Sequence, residues 1–327
     1  MTLICSSAPG KLVLSGEYAV LDGAAAISMA VDRRAIVTIV PRDGDSHAVN
    51  APGFSDSESL FTGDSGALSW QVGGEDFALF DQVWRATGMS SHEPLSFTLD
   101  TGAFREDGIK TGVGSSAALT VALAAAMSAI SGADGASGAR RAHSEFQGGS
   151  GSGVDVATSL AGGVVEYRIG DDTGSGVAWP EGLHYAVFWS GVAADTRSKL
   201  EQLQQQPATV ARTALGAAAE QFAVVFREGP GPRIVDELSD YTNALRQFDA
   251  ESGLGIFEAG HAHLVDSAAA HGAVYKPCGA GGGDVGIAVA AAKDSLASFT
   301  DVAVALGFRR LEMNLDLQGV MLTEDKQ

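Results

Sequence analysis

The spacing of apolar positions changes along the chain and predicts a mixture of strands and helices. An unbroken run of Ala, Leu and Val from Ala117 to Ala129 predicts a helix, and the β-branched residues at 36–40 predict that 26–40 form strand pairs. Further strands are expected at 2–6, 96–101, 164–169, 184–190 and 285–292. Further helices are expected at 76–88, 134–149, 194–206, 208–228, 233–252, 256–272 and 294–306, with a short one inside 150–162. Because strands and helices come in blocks, an α+β fold is favoured over a doubly wound sheet.

Glycine and proline interrupt this pattern at several places. The residues APGK at 8–11 are predicted to form a turn. The stretch 43–75 is rich in Gly, Ser and Asp and is predicted to hold loops and short antiparallel strands. The sequence GPGP at 229–232 is the clearest internal linker signal. The residues at 310–322 are predicted to form a closing strand pair.

Composition narrows the classes of partner. The chain has 327 residues, enough for one large domain or two smaller ones, and 45% of them are hydrophobic, so a sizeable core can form. The formal net charge of −19 argues against nucleic acid and against anionic membranes as partners. A small anionic substrate is still compatible with this charge, because a local basic pocket can lie inside an acidic surface. The acidity itself is interpreted as an aid to solubility or as a trait of a salty habitat.

Cysteine usage and the N-terminus bear on the cellular compartment. Cys5 and Cys278 lie far apart, and no CxxC or Cys/His cluster suggests a zinc site. Free thiols are typical of a reducing compartment. The first residues lack the basic and apolar regions of a signal peptide, and the apolar runs near 117–130 and 285–292 are too short or too interrupted to span a membrane. The expected location is the cytoplasm.

The segment KTGVGSSAA at 110–118 is the strongest chemical signal in the sequence. Two glycines and two serines lead directly into the predicted helix. A helix N-terminus carries unpaired N–H groups and the positive end of the helix dipole, so it can bind an anion such as a phosphate. The segment does not match the GxxxxGK[ST] loop, because no Lys follows the second glycine. Taken alone, it is equally well explained as a capped core helix.

Two other glycine-rich segments accompany it, APGKLVLSG at 8–16 and GAGGGD at 279–284. Glycines in such runs are costly in chain entropy and suggest a backbone that passes close to another group. A tight hairpin turn is the alternative for each segment singly. That alternative is weaker for three segments together.

The chain offers the groups that a phosphoryl-transfer site needs. Lys11 lies in a glycine-flanked segment and suits a point charge beside a transferred phosphoryl group. Ser116 and Glu145 offer oxygen ligands for Mg²⁺. Asp155 follows a Gly-Ser-Gly loop that can hold a carboxylate inside a site. Taken singly, Asp155 is more typical of a helix N-cap, and Glu145 of a solvated helix face.

Three motifs carry a family resemblance. The sequences APGKLVLSGEYAVLDG, KTGVGSSAALTVAL and KPCGAGGGDVGIAV resemble the three motifs of the GHMP kinases and follow in the same order. The resemblance covers almost the whole chain. It implies a ribosomal S5 domain 2-like N-terminal domain and a ferredoxin-like C-terminal domain, with the site between them. The domain limits expected from it are 1–180, which binds ATP, and 181–327.

Within this family, the details resemble the phosphomevalonate kinase branch. The stretches GSGVDVATSLAGG and WSGVAADTRSKL, the Lys110-Thr111 pair and Asp284 fit that branch. Mevalonate kinases usually have GEH where this chain has Gly16-Glu17-Tyr18. Diphosphomevalonate decarboxylases lack the APGK-x5-E pattern. The resemblance therefore implies ATP- and Mg²⁺-dependent phosphorylation of 5-phosphomevalonate in the mevalonate pathway of isoprenoid synthesis. The alternatives are a mevalonate kinase and a non-catalytic ligand sensor on the same fold.

The resemblance also implies residue roles. Lys11 and Asp155 would be catalytic, with Lys11 stabilising the transferred phosphoryl group and Asp155 orienting the substrate or taking its proton. The ATP-binding residues would be Lys110, Gly112, Gly114, Ser115, Ser116 and Ala117, and the Mg²⁺ ligands Ser116 and Glu145. The substrate-binding residues would be Lys11, Tyr18, Ser152, Gly153, Asp155, Thr196, Gly281 and Gly282. Further candidates for holding the anionic substrate are Lys110, Lys276, Arg85 and Arg197. A monomer and a homodimer are both compatible with the sequence.

Overall fold

The computed structural model of the chain describes residues 2–55, 57–149 and 151–326. Within these residues the strands are β1 Thr2–Ser15, β2 Ala26–Pro41, β3 His47–Asn50, β4 Ser59–Gly63, β5 Leu68–Val72, β6 Leu95–Asp100, β7 Arg105–Glu106, β8 Ile109–Lys110, β9 Val164–Tyr167, β10 Ser175–Val177, β11 His184–Trp189, β12 Val274–Pro277, β13 Val285–Ala290, β14 Arg309–Leu311 and β15 Met321–Lys326. The helices are α1 Ala78–Ala86, α2 Ser115–Ser131, α3 Gly135–Phe146, α4 Val154–Ala161, α5 Thr196–Gln204, α6 Val210–Glu228, α7 Gly231–Ser252, α8 His261–Ala268 and α9 Lys293–Ala305.

Strands β1 to β6, β9 and β10, together with the C-terminal strand β15, build a nine-stranded sheet. Its strand order is β10-β9-β2-β6-β3-β4-β5, and β1 pairs with both β2 and β15. The residues at 26–40 were expected to form strand pairs, but they form the single strand β2. No glycine or proline interrupts the sequence between Ala26 and Val40, so nothing turns the chain there. The short strands expected within 43–75 are confirmed as β3, β4 and β5, and their consecutive pairs are antiparallel.

The turn predicted at APGK is wrong. These residues lie inside β1, where the pairing with β2 shifts from Pro9↔Arg34 to Gly10↔Val31. Such a bulge leaves extra residues on one strand and bends the ladder, which allows a proline within a strand. The bulge also delivers Lys11 to the end of α2, because the Lys11 N–H donates to the carbonyl oxygen of Val113 over 2.8 Å.

The second half builds a four-stranded antiparallel sheet in the order β12-β13-β11-β14. Along the chain the elements run from β11 through helices to β12 and β13, then through α9 to β14. This is the ferredoxin-like pattern of strands and helices, as the family resemblance implies. Alternate residues of β11 point to opposite faces. Phe188 packs in the cluster formed with α8 and α9, whereas Val187 packs in the cluster formed with α6 and α7.

One hydrophobic cluster joins the two halves. Leu12 on β1 and Met29 on β2 are buried in the same cluster as Leu215 on α6 and Tyr241 on α7. The opposite face of the nine-stranded sheet is covered by α1, α2 and α3, where Trp84 and Phe97 are among the fully buried side chains. Because apolar burial is the main favourable term in folding, the halves are held together by a shared core.

Two further expectations from the sequence need correction. The GPGP segment joins α6 directly to α7, which pack side by side, so it is a helix–helix turn and no domain linker. The expected closing strand pair is wrong as well, because β14 pairs with β11 while β15 pairs with β1 in the other sheet. The domain limits of 1–180 and 181–327 stay a prediction. Among the described residues, every helix is too short or too polar to cross a lipid bilayer.

Candidate active site

The three glycine-rich segments meet in space. Gly114 lies against the side chain of Lys11, so that a Cβ atom there would be 3.0 Å from the Lys11 Cγ. A Cβ atom on Gly279 would be 3.6 Å from the Lys11 Nζ, and one on Gly112 would overlap the carboxylate of Asp284. The close backbone approach inferred for these glycines is therefore present. It places the Lys11 ammonium group where the first, second and third motifs converge.

A cavity of about 130 Å³ lies at this point. It is lined by five of the side chains predicted to act on substrate, namely Lys11, Tyr18, Ser152, Asp155 and Thr196. Gly112 and Asp284 line it as well. Of the predicted substrate glycines, Gly153 lines an adjoining cavity. Gly281 and Gly282 pack against the chain at 255–256, where the Gly282 N–H donates to the carbonyl oxygen of Ile256.

A second and larger cavity of about 530 Å³ lies beside the N-terminus of α2. Lys110, Ser115 and Ser116 line its polar end. Aromatic and aliphatic side chains line the rest of it, including Phe54, Phe77, Phe80, Leu119, Leu123 and Phe146. An apolar pocket that ends at a helix N-terminus suits a nucleotide, because the ring needs apolar contacts and the phosphates need N–H donors. Thr196 lines both cavities, so they meet at that residue.

The remaining residues predicted to bind ATP are part of the backbone frame. Gly114 is the N-cap of α2 with a φ angle of 86°, a left-handed conformation that favours glycine. Because Gly114 has no side chain, the Lys11 side chain can pass close to its backbone. Ala117 is fully buried inside the first turn of α2. These two residues shape the backbone at the N-terminus of α2.

Asp155 lies in the first turn of α4, and Gly153 is the N-cap of that helix. The N-cap alternative for Asp155 is therefore wrong. Its Oδ1 accepts a hydrogen bond from the Val156 N–H over 2.9 Å and lies 3.8 Å from the Nδ1 of His143. His143 is buried, and its Nε2 lies 3.3 Å from the Oγ of Ser116. Sequence reasoning missed His143, because a single histidine inside a helix gives no signal of its own.

Glu145 is exposed and lines a third cavity, which also contains Thr196 and Arg197. Among the described residues, no cluster of three or more His, Cys, Asp or Glu side chains forms a metal cage. The oxygen donors near the α2 N-terminus still fit Mg²⁺, which takes one or two protein oxygens and completes its shell with water and phosphate. The arrangement suits a cation that arrives with a nucleotide.

Asp284 and Tyr18 connect the segments around the smaller cavity. The Asp284 Oδ1 accepts from the Ala194 N–H over 3.0 Å, and burial raises the pKa of this carboxyl group. The Tyr18 hydroxyl donates to the carbonyl oxygen of Ala280 over 2.6 Å. Burial, with the nearby charges of Asp249 and Glu17, raises the pKa of Tyr18, so this phenol stays protonated and keeps its bond.

The candidate cations for binding the substrate lie in different places in the structure. Lys110 and Arg197 line the larger cavity. Lys276 was a candidate for holding substrate, but it is fully buried and bonded to the Glu17 carboxylate and to the carbonyl oxygen of Pro277. Arg85 was another, but it lies outside both cavities and pairs with Asp81 one turn earlier on α1. A lysine as buried as Lys276 needs a charged or polar partner, and the Glu17 carboxylate supplies the charge.

Lys199 is a cation that sequence reasoning missed. It lies on α5 and donates to the carbonyl oxygens of Leu254 and Gly255 over 2.7 and 3.0 Å. Burial lowers its pKa. Its ammonium group stands against Gly282, where any side chain would collide with it. Lys199 therefore fastens α5 to the backbone at 254–255, which packs against the third glycine segment.

His261 is hydrogen-bonded to the backbone of the third glycine segment. We expect this histidine to lower the stability of the fold at acidic pH. The Tyr275 hydroxyl donates to its Nδ1, and its Nε2–H donates to the carbonyl oxygen of Gly283. Burial, aided by the charges of Lys276 and Lys199, lowers the pKa of His261 from 6.5 to about 4. Between these two values the unfolded chain binds a proton that the folded chain does not, so stability falls as the pH falls.

The measurement is the free energy of unfolding at pH 7 and at pH 5. The wild-type protein should lose about 2 kcal/mol more over this interval than the His261→Gln variant, since each unit of pKa shift corresponds to about 1.4 kcal/mol. Equal losses in the two proteins would show that folding does not lower the pKa of His261.

Comparison with known proteins identifies two kinase relatives of this chain. A scan against models of known protein families finds no match to the chain. The chain is 32% identical to a phosphomevalonate kinase from Streptomyces sp. (strain CL190), over 89% of this chain and 91% of that protein. It is 26% identical to a mevalonate kinase from Bos taurus, over 86% of this chain and 84% of that one.

Solved structures show the same fold. Streptococcus pneumoniae phosphomevalonate kinase in complex with phosphomevalonate and AMPPNP superimposes with a TM-score of 0.79 and 19% sequence identity. The match covers 95% of this chain and 99% of that one. This likeness confirms the α+β fold class that the element order and the three motifs predict. The Streptomyces relative shows that this chain belongs to the GHMP kinase family, within the branch of the phosphomevalonate kinases.

Proposed function

We propose that this protein transfers the γ-phosphoryl group of ATP to 5-phosphomevalonate, with Mg²⁺ as cofactor. The observation that carries the proposal is the junction of the two cavities at Thr196. The smaller cavity holds Lys11 and Asp155, and the larger one ends at the N-terminus of α2. A phosphoryl group at the end of a nucleotide in the larger cavity would point at an acceptor in the smaller one.

The residues divide into nucleotide and acceptor roles. The α2 N-terminus, with Ser115 and Ser116, would bind the ATP phosphates, and Lys110 adds a charge at the same end. AMPPNP in the Streptococcus pneumoniae complex supports ATP as the donor. Phosphomevalonate in that complex, and the name of the Streptomyces relative, support the acceptor. Ser152 and Thr196 supply hydroxyl groups to the acceptor cavity.

The reaction makes one bond and breaks another. An oxygen of the acceptor phosphate forms a bond to the γ-phosphorus of ATP, while the bond from that phosphorus to the β–γ bridging oxygen breaks and ADP leaves. The acceptor phosphate already carries negative charge near neutral pH, so it needs less help from a base than an alcohol does. We therefore assign Asp155 mainly to positioning and Lys11 to charge stabilisation, the effect that dominates such transfers.

Mg²⁺ would be held by Ser116 and by phosphate oxygens, with Glu145 at the adjoining cavity as the proposed second protein ligand. When bound, it neutralises charge on the phosphates. The reaction would run where ATP is supplied, which agrees with the expected cytoplasmic location.

The test is an ADP-release assay with purified protein, ATP and Mg²⁺. Mevalonate, 5-phosphomevalonate, galactose and homoserine are offered in parallel. Release confined to 5-phosphomevalonate is the expected result. Release with mevalonate alone would place the protein one step earlier in the same pathway and would show that Tyr18 does not mark the branch. No ADP release with any of the four acceptors would contradict the proposal and favour the ligand sensor.

A further inference from the structure

A buried histidine connects the two sides of the candidate site. His143 lies on α3 with about 1% of its surface exposed. Its Nε2 faces the hydroxyl oxygen of Ser116 at 3.3 Å, and its Nδ1 faces the Oδ1 of Asp155 at 3.8 Å. Ser116 belongs to the proposed nucleotide end and Asp155 to the proposed acceptor end. No other role in the fold or in the reaction has been assigned to this imidazole.

The three groups are compatible with one arrangement of protons. A serine hydroxyl that gives a lone pair to a cation directs its own proton elsewhere. The Nε2 of a neutral imidazole can accept that proton, provided that Nδ1 carries the hydrogen. A hydrogen on Nδ1 points toward the carboxylate of Asp155, which favours the same tautomer. The contacts of His143 with Ser116 and with Asp155 are therefore compatible with the same tautomer of the ring.

We propose that His143 is a positioning residue, which aims the Ser116 hydroxyl at the Mg²⁺–nucleotide and keeps it in register with Asp155. The inference rests on the proposed function, since it takes Ser116 and Asp155 as parts of the phosphoryl-transfer site. The imidazole is not itself a ligand of Mg²⁺, because that ion prefers oxygen donors. His143 acts through Ser116 and Asp155, as partners behind metal ligands generally do.

Burial restricts the imidazole. The side chain of His143 is about 1% exposed, and Ala142 beside it on α3 is fully buried in the core cluster under the sheet. The space open to the ring is therefore limited by packing before a nucleotide binds. Such preorganisation is what a positioning role requires.

The experiment compares three substitutions at this position. In His143→Gln, the side-chain amide oxygen can reach the place of Nε2 and accept from Ser116. In His143→Asn, the shorter amide can reach only the place of Nδ1. His143→Leu removes both contacts at similar volume. His263→Leu is the matched control, because His263 is exposed on α8, away from both cavities.

The expected result is graded by the contact to Ser116. Losses behind a metal ligand are typically about 10- to 100-fold, so kcat should fall by about that factor in the Leu and Asn variants and by less than about 5-fold in the Gln variant. The KM for the acceptor should stay nearly constant. Calorimetric titration with AMPPNP and Mg²⁺, which involves no turnover, should show the same order of weakening. Equal kcat values in the Gln and Asn variants would overturn the inference.

A double-mutant cycle separates this role from a purely structural one. If His143 acts through Ser116, adding His143→Asn to Ser116→Ala should cost little beyond the Ser116→Ala loss. Losses that multiply in the double variant would contradict the inference, as would binding losses that follow only the melting temperatures. A wild-type protein that binds AMPPNP with Mg²⁺ but phosphorylates no acceptor would instead contradict the proposed function, while the binding comparison would still test His143.

Discussion

Replacing Lys11 with methionine should lower kcat by about 1,000-fold, which corresponds to about 4 kcal/mol of lost transition-state stabilisation. Lys11 is the cation placed where all three glycine segments meet, and its ammonium group faces the acceptor cavity. The positive charge of Lys11 would stabilise the transition state most, because negative charge shifts there between donor and acceptor oxygens. Methionine keeps most of the length and volume of the side chain, so the loss would report the charge.

Binding of the nucleotide should change little in the same variant. The larger cavity and the α2 N-terminus are lined by other residues, so the Kd for AMPPNP should stay within about threefold of the wild-type value, as expected for an interaction used mainly in the transition state. The measurements are steady-state kinetics with 5-phosphomevalonate and calorimetric titration with AMPPNP. Lys293→Met is the control, since Lys293 is an exposed residue at the start of α9.

Two outcomes would contradict this assignment. A Lys11→Met protein with kcat within tenfold of wild type would remove Lys11 from the chemistry. A variant that loses nucleotide binding as strongly as turnover would place the ammonium group on the ATP phosphates before transfer. The second outcome would also reverse the division of roles between the two cavities.

The glycine segments were predictable because close backbone approach leaves a mark in the sequence. At Gly112 the Asp284 carboxylate occupies the space of a Cβ atom, and Gly114 has a left-handed backbone beside the Lys11 side chain. Three such segments in one chain indicated a single site, and Lys11, Ser116 and Asp155 were expected beside it. The helices were predictable for a similar reason, because their apolar periods and capping glycines are local.

Long-range pairing left no such mark. β15 pairs with β1 through contacts such as Ser6↔Leu322, and nothing in the residues at 310–322 distinguishes that partner from a nearer one. The strand through Pro9 was missed because proline usually argues against a strand. A bulge next to Pro9 makes proline acceptable there. His143 was missed because its meaning depends on two residues brought to it by separate helices.

Lys276 shows what residue type alone cannot predict. Its positive charge suggested a residue that holds the anionic substrate. Lys276 points into the core, where its partner Glu17 lies 259 positions away in the sequence. Charge pairing at that separation is visible only in the fold.

Breaking this buried pair should cost more stability than any exposed pair in the molecule. Lys276 and Glu17 are at most 1% exposed at their side chains and form an ion pair. The Tyr241 hydroxyl donates to the second carboxylate oxygen over 2.6 Å and accepts from the Gly16 N–H over 2.9 Å. Every polar atom of the pair is thus engaged, and the network joins the segment that follows β1 to β12 and α7. A buried charge without its partner is strongly unfavourable.

Lys276→Met should therefore lower the free energy of unfolding by about 3–5 kcal/mol. The same change at an exposed pair, Arg310→Met beside Glu312, should cost no more than about 1 kcal/mol. Both are measured by urea unfolding followed through tryptophan fluorescence. The double variant Glu17→Leu with Lys276→Met should regain most of the loss, because two apolar side chains leave no charge buried. If the double variant is less stable than Lys276→Met alone, the penalty comes from packing or from Tyr241, and the Glu17 carboxylate is not left uncompensated in the single variant.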